Sequence, residues 1–233
     1  PILIFEFTSG RGSRKGIARS FDVLEPAGSK WHRAKWLGIV GSYLLMMFYA
    51  TVAGWMLAFT VKSATGTFTG LDSDGVAGVF GAMLSNPTEM IGYLLVVVII
   101  GTVVCSFGLQ KGIERVTKVM MTGLFVLLLV LVIRAVTLPG AAEGLSFYLM
   151  PDFGKLFANG PTGFTNAVFA AMGQAFFTLG VGVGSMSIFG SYMDDKRSIT
   201  GESVRIAGLD TVVAIMAGLI IFPACFAFGV EPG

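Results

Sequence analysis

Stretches near residues 37–61, 91–109, 116–138, 164–192 and 207–229 of this 233-residue chain are apolar over about the 19-residue window that marks a membrane-crossing helix. A further apolar run at 1–8 reads as the end of another helix. Hydrocarbon offers the backbone no hydrogen-bond partner, so each stretch must satisfy its own peptide groups, which a helix does. Charged residues make up 13% of the chain and hydrophobic ones 54%, against about 25% charged in soluble domains. The fold class expected is an all-α polytopic membrane protein.

The chain opens on PILIFEF without a Met and breaks off in FAFGVEPG just after a span. It reads as one transmembrane domain, 1–233, truncated at both ends. A net charge of +2, with the bases confined to connecting loops, excludes a nucleic-acid partner. Cys105 and Cys225 lie in different spans, and His32 has no second His or Cys at ligand spacing, so no metal-ligand cluster is expected. No nucleophile, base and orienter share a membrane face, which argues against an enzyme.

Charge sets the orientation. The first loop carries Arg11, Arg14, Lys15, Arg19, Lys30, Arg33 and Lys35 and should be cytoplasmic. The 62–90 loop sets Lys62 against Asp72, Asp74 and Glu89; 110–118 carries Lys111, Arg115 and Lys118. The 139–163 loop has Lys155 as its only base, and 194–205 has Lys196, Arg197 and Arg205. Outside and inside alternate, so every span crosses once. The 139–163 loop also holds Pro139, Pro151, Pro161, Phe147, Tyr148 and Phe153, a composition suited to folding back over the outer face or to a plain connector.

The span at 164–192 exceeds the roughly 20 residues a crossing needs, and its centre reads AFFTLGVGVGS. Gly180, Gly182 and Gly184 alternate with Val181 and Val183, the poorest helix-forming stretch of the span. Unwound backbone survives at that depth only where it lines a cavity or holds a ligand. The two half-helices would aim a positive N-terminal end and a negative C-terminal end at the midplane, suiting an anionic group and a cation. Two other readings exist. Gly180 and Gly184 also fit a small-xxx-small packing face, which stays open. TLGVGVG loosely resembles a potassium-channel filter, but a filter needs a re-entrant loop, which the charge alternation rejects.

Other polar residues frame this break. Asp210 lies near the start of the next span and either finds a cation or sits hydrated at the helix end near Arg205. Tyr49 follows Leu45 by one turn, so the two share a helix face, as site or as core. Glu6, Gln174 and Arg134 are polar in or near apolar runs, and each could be structural.

Taken together, GQAFFTLGVGVGSMSIFGSY, PILIFEFTSGR, FYATVAGW, KGIERVTKVMM and LSFYLMPDFGKL resemble the neurotransmitter:sodium symporter family, from late helix two through helix seven. The resemblance implies part of a ten-helix inverted-repeat core with a broken helix at about 164–192. It implies a sodium-coupled importer of amino acids, multi-pass in the cell (inner) membrane, with the bilayer, sodium and an amino acid as partners and homo-oligomerisation left open. A ligand-gated channel or substrate-sensing receptor on the same scaffold is the alternative. By motif, Tyr49 would bind the substrate carboxylate, Phe177 would lid the site, and Leu45, Gly180 and Val183 would line a pocket roomy enough for tryptophan, tyrosine, phenylalanine or leucine. Thr178 and Asp210 would ligate sodium, with Gln174 at the outer gate and Tyr192 at the inner. Asp210 stands where many members place Asn, which implies chloride independence.

Overall fold

A computed structural model describes residues 1–108, 113–157 and 160–230. Lys111, counted among the bases of the third loop, lies outside the described residues, as does residue 109 at the end of the second predicted span. The helices are α1 (Ile2–Ser13), α2 (Ile17–Leu24), α3 (Lys35–Ala64), α4 (Ser73–Leu84), α5 (Pro87–Ser106), α6 (Glu114–Val136), α7 (Ala141–Leu149), α8 (Phe153–Phe157), α9 (Gly160–Leu179), α10 (Ser185–Ser191) and α11 (Ile199–Ala227). A short 3₁₀ turn, Trp31–Ala34, leads into α3. Among the described residues, four helices are long and apolar enough to cross a membrane: the one ending at Ala64, α5, α6 and α11.

Four of the five predicted spans overlap these four helices, with boundaries moved by capping. Asn86 accepts from Glu89 N at 3.3 Å ahead of Pro87, so α5 begins before its apolar run. Ser198 accepts from Gly201 N at 3.2 Å and starts α11 at Ile199, ahead of the predicted 207. The first turns of α11 are polar and so invisible to a hydropathy window. The fourth predicted span, 164–192, is not continuous: α9 and α10 are separated by 180–184. The predicted 62–90 connector contains α4, capped by Asp72 accepting from Gly75 N at 2.8 Å.

The chain forms two compact units, one of residues 1–43 and 128 onward, the other of 44–127. In the second, α3 and α5 approach at Gly54, where a methyl group would come within 3.2 Å of Leu94 N. Phe80 of α4 packs edge-on against Trp55 at 5.8 Å and tilted against Phe59 at 5.6 Å. Lys62 and Glu89 pair at 2.8 Å, so the one base of the 62–90 loop is neutralised.

In the first unit, α1 lies against α10 with almost no side chain between them. A methyl on Gly190 would meet Phe7 O at 2.6 Å, one on Gly10 would overlap Ser187 O, and Ser9 and Ser187 share a hydroxyl contact of 3.3 Å. At the end of this pair, Arg14 reaches Asp195 at 2.6 Å and donates to Met193 O at 2.8 Å, while Arg11 donates to Arg197 O at 2.7 Å. The first loop and the 194–205 loop therefore lie on one side, as their shared positive charge requires. At the other end of α11, α7 folds back: Tyr148 stacks on Phe222 at 4.9 Å and covers Gly218, and Phe147 meets Phe226 at 5.5 Å. That is the folding back of the 139–163 loop.

Candidate functional site

The break is a built feature. Gly180 N donates to Phe177 O and Val181 N to Phe176 O, both at 3.2 Å, a Schellman ending for α9. Gly180, Gly182 and Gly184 take φ of 60°, 96° and 76°, left-handed conformations that only glycine adopts freely. Ser185 Oγ donates to Gly180 O at 2.6 Å and closes the turn from the α10 side. The unwound segment is thus dictated by its glycines. Packing also enters: Ser42 Oγ donates to Val183 O at 3.3 Å, and a methyl on Gly41 would come within 3.0 Å of Val183 Cγ1.

The anionic group at the N-terminal end of α10 is the chain's own. Glu6 of α1, 4% exposed, accepts through Oε1 from Gly182 N at 2.6 Å and Gly184 N at 3.1 Å. Its Oε2 accepts from Met186 N at 3.0 Å. A buried carboxylate needs such donors, and helix N-terminal amides need an acceptor, so each solves the other's problem. The sequence shows Glu6 only as a polar residue in an apolar run. Its role is set by a partner 176 positions away.

The C-terminal end of α9 has the opposite character. The carbonyls of Thr178, Leu179, Val181 and Gly182 receive no backbone hydrogen bond among the described residues. Thr178 Oγ1 donates to Asp210 Oδ1 at 3.1 Å. Because α11 starts at Ile199, Asp210 sits about three turns into the helix rather than at its edge. Arg205, the base nearest in sequence, instead bonds Glu202 at 3.0 Å. A hydroxyl, a carboxylate and free carbonyls at a negative helix end are hard oxygen donors, the chemistry that suits a sodium ion.

The remaining candidates fall as follows. Gln174 and Phe177 lie on α9, three residues apart and so on neighbouring parts of one face. Tyr192 is the C-cap of α10, exposed, with its amide bonded to Phe189 O at 3.2 Å. Leu45 and Tyr49 lie on α3 in the second unit, where the rings of Phe48 and Tyr49 meet edge-on at 5.8 Å. Arg134 lies in the last turn of α6.

Comparison with known proteins agrees with this architecture. A solved structure of MhsT in complex with L-phenylalanine superposes with a TM-score of 0.87 at 37% identity, covering 100% of this chain and 51% of that one. The sodium-dependent transporter YhdH of Bacillus subtilis is 37% identical over 232 residues, and a sodium-dependent transporter of Haemophilus influenzae 32% over 242. A sodium-dependent nutrient amino acid transporter of Drosophila ananassae is 41% identical over 98 residues, 42% of this chain and 14% of that one. The chain spans 50% of the Bacillus relative and 51% of the Haemophilus one. The Bacillus, Haemophilus and Drosophila relatives are sodium-dependent transporters rather than enzymes. The model of the Sodium:neurotransmitter symporter family matches residues 80–229, which include the glycine break and the Thr178–Asp210 pair. This chain, a multi-pass membrane protein with an all-helical fold, belongs to that family.

Proposed function

We propose that the whole protein is a sodium-coupled symporter that imports amino acids by alternating access around the break, in the cell (inner) membrane. The observation that carries this reading is the asymmetry of the break. Glu6 saturates the amides at the α10 end, while Thr178, Asp210 and free carbonyls leave the α9 end open to a cation. A bound sodium there would present positive charge to a substrate carboxylate, since the positive end of α10 is already occupied. The chain would form part of a single transporter domain.

The resemblance supplies the rest of the site. Tyr49 would donate its hydroxyl to the substrate carboxylate, Phe177 would close over the substrate, and Gln174 and Tyr192 would belong to the outer and inner gates. Leu45, Gly180 and Val183 would wall the side-chain pocket. The small walls at Gly180 and Val183 favour large apolar or aromatic amino acids, and L-phenylalanine is the ligand named for the MhsT complex. Asp210 supplies a fixed negative charge beside the cation site, so the transporter is chloride-independent. At about 4 Å and an effective dielectric of 20, opposite unit charges attract by roughly 4 kcal/mol, so a carboxylate there would hold a cation by charge as well as by its oxygens.

The test is a competition panel on the full-length protein in liposomes. Tryptophan, tyrosine, phenylalanine and leucine should suppress uptake of labelled phenylalanine well below the concentrations at which glycine or alanine does. Glycine and alanine outcompeting every aromatic would overturn the pocket assignment.

A further inference from the structure

Gly38 sits in the first turn of α3, in ordinary helix, where glycine destabilises relative to alanine and no left-handed dihedral demands it. The demand is spatial. A methyl on Gly38 would come within 2.7 Å of Ile17 Cγ1 and 3.0 Å of Val183 O. A methyl on Gly184 would overlap the same Ile17 side chain, reaching its Cδ1 at 2.6 Å. Ile17 therefore fills a slot with one glycine wall on α3 and the other on the break itself. Its backbone can enter because Gly16, just before α2, packs against Ile188 of α10, where a methyl would lie 3.0 Å from Cγ1.

Alpha2 is held in this place by more than Ile17. Ser20, one turn on, is completely buried, and Asp22 binds Lys35 Nζ at 2.9 Å at the start of α3. Arg14, just ahead of α2, bridges to Asp195 at 2.6 Å. The slot thus faces the side of the basic loops. It touches the break at Gly184 and Val183 O, beside the Ser42 hydroxyl bonded to that oxygen at 3.3 Å.

We propose that Ile17 is a positioning residue for the transport cycle: seated between Gly38 and Gly184, it holds the unwound segment closed from the basic-loop side. This deepens the transport reading and rests on it. Opening the break toward that side requires Ile17 to leave the slot. The occupied slot favours the state in which the break is sealed there, and truncating Ile17 shifts the population toward the open one.

The test uses full-length protein with its other cysteines replaced and Ser42→Cys as reporter, labelled in detergent by a bulky polar thiol reagent. Ile17→Ala should raise the labelling rate at least threefold and lower the apparent affinity for labelled phenylalanine several-fold. Adding Gly38→Ala to Ile17→Ala refills the slot and should return labelling towards the starting rate, whereas Gly38→Ala alone, which crowds Ile17, should raise it. Ile17→Val gives a milder change in the same direction if the alanine variant folds poorly. Unchanged labelling in Ile17→Ala and Ile17→Val with a lowered Tm would overturn the proposal and leave Ile17 as packing. So would a Gly38→Ala effect that is the same with and without Ile17. Labelling is read without a sodium gradient, so absent sodium-driven uptake strikes the transport reading and not the slot measurement.

Discussion

Glu6 Oε1 lies 2.6 Å from the amide nitrogen of Gly182, so a carboxylate on α1 is bonded directly to the unwound centre of the broken crossing. With Gly184 N and Met186 N at 3.1 and 3.0 Å, it supplies the acceptors that helix geometry denies these groups. The break keeps its shape because its glycines permit it and Glu6 binds it.

Glu6→Gln keeps the length of the side chain but loses its charge and replaces one acceptor with an amide donor that faces N–H groups. Charge-assisted hydrogen bonds contribute about 1.5–3 kcal/mol each, and a buried donor left unpaired costs about 1–3. The variant should show a Tm lower by several degrees and little uptake. Glu6→Asp, one methylene shorter, should be intermediate. Thermal unfolding in detergent, compared with wild type, checks both.

Tyr49→Phe should leave the ring packing against Phe48 in place and weaken substrate binding by one charge-assisted hydrogen bond, about 1.5–3 kcal/mol. That is roughly a tenfold loss or more in affinity. Scintillation proximity binding of labelled phenylalanine reads it directly, and unchanged affinity would return Tyr49 to the core.

Asp210→Asn retains an oxygen ligand and its place opposite Thr178 Oγ1, 3.1 Å away, but loses the charge. Sodium activation should shift to higher concentration by about tenfold or more, with added chloride restoring part of it if the cavity admits the ion. Wild-type uptake should be the same in chloride and in gluconate. A collapse in gluconate would contradict the role given to Asp210.

The first loop should respond to acid. The His32 backbone N–H, 2.9 Å from Oε2, is the main group holding the Glu25 carboxyl below its usual range; desolvation, next in size, opposes it, and the His32 ring at 2.9 Å and the Ser29 hydroxyl at 3.0 Å lower it further. A depressed carboxylate lends its order above its unfolded pKa and loses it as pH falls through the folded value. Hydrogen exchange at His32 N should therefore be steady through neutral pH, corrected for intrinsic rate, and quicken only in the acid carboxylate range. Glu25→Gln should show the quickened exchange at every pH.

The break was legible as one of two readings, since three glycines at alternate positions in an apolar run suit an unwound segment or a close packing face, and hydropathy sufficed to locate the long apolar helices. What hydropathy could not show were polar or short helical pieces: the first turns of α11, α4 under its Asp72 cap, and α2. Asp210 consequently looked nearer the helix edge than it is. Long-range polar partners carry no local signature: Glu6 looks like any stray acid until α1 and α10 are packed together, and the Ile17 slot is visible only as two glycines far apart in sequence. Asp210 stood out as a carboxylate in an apolar span, Thr178 was reached through family motifs, and their contact across 32 positions is a result of the fold.

The most direct test of sodium-coupled import is uptake of labelled phenylalanine by the full-length protein in sealed liposomes, with sodium imposed outside only, equal on both sides, or replaced by potassium. Accumulation above the external concentration should occur with the inward sodium gradient, fall to equilibration with equal sodium, and be absent in potassium. Uptake indifferent to the gradient, or saturable binding or current without accumulation, would contradict the account and favour a channel or receptor on the same scaffold.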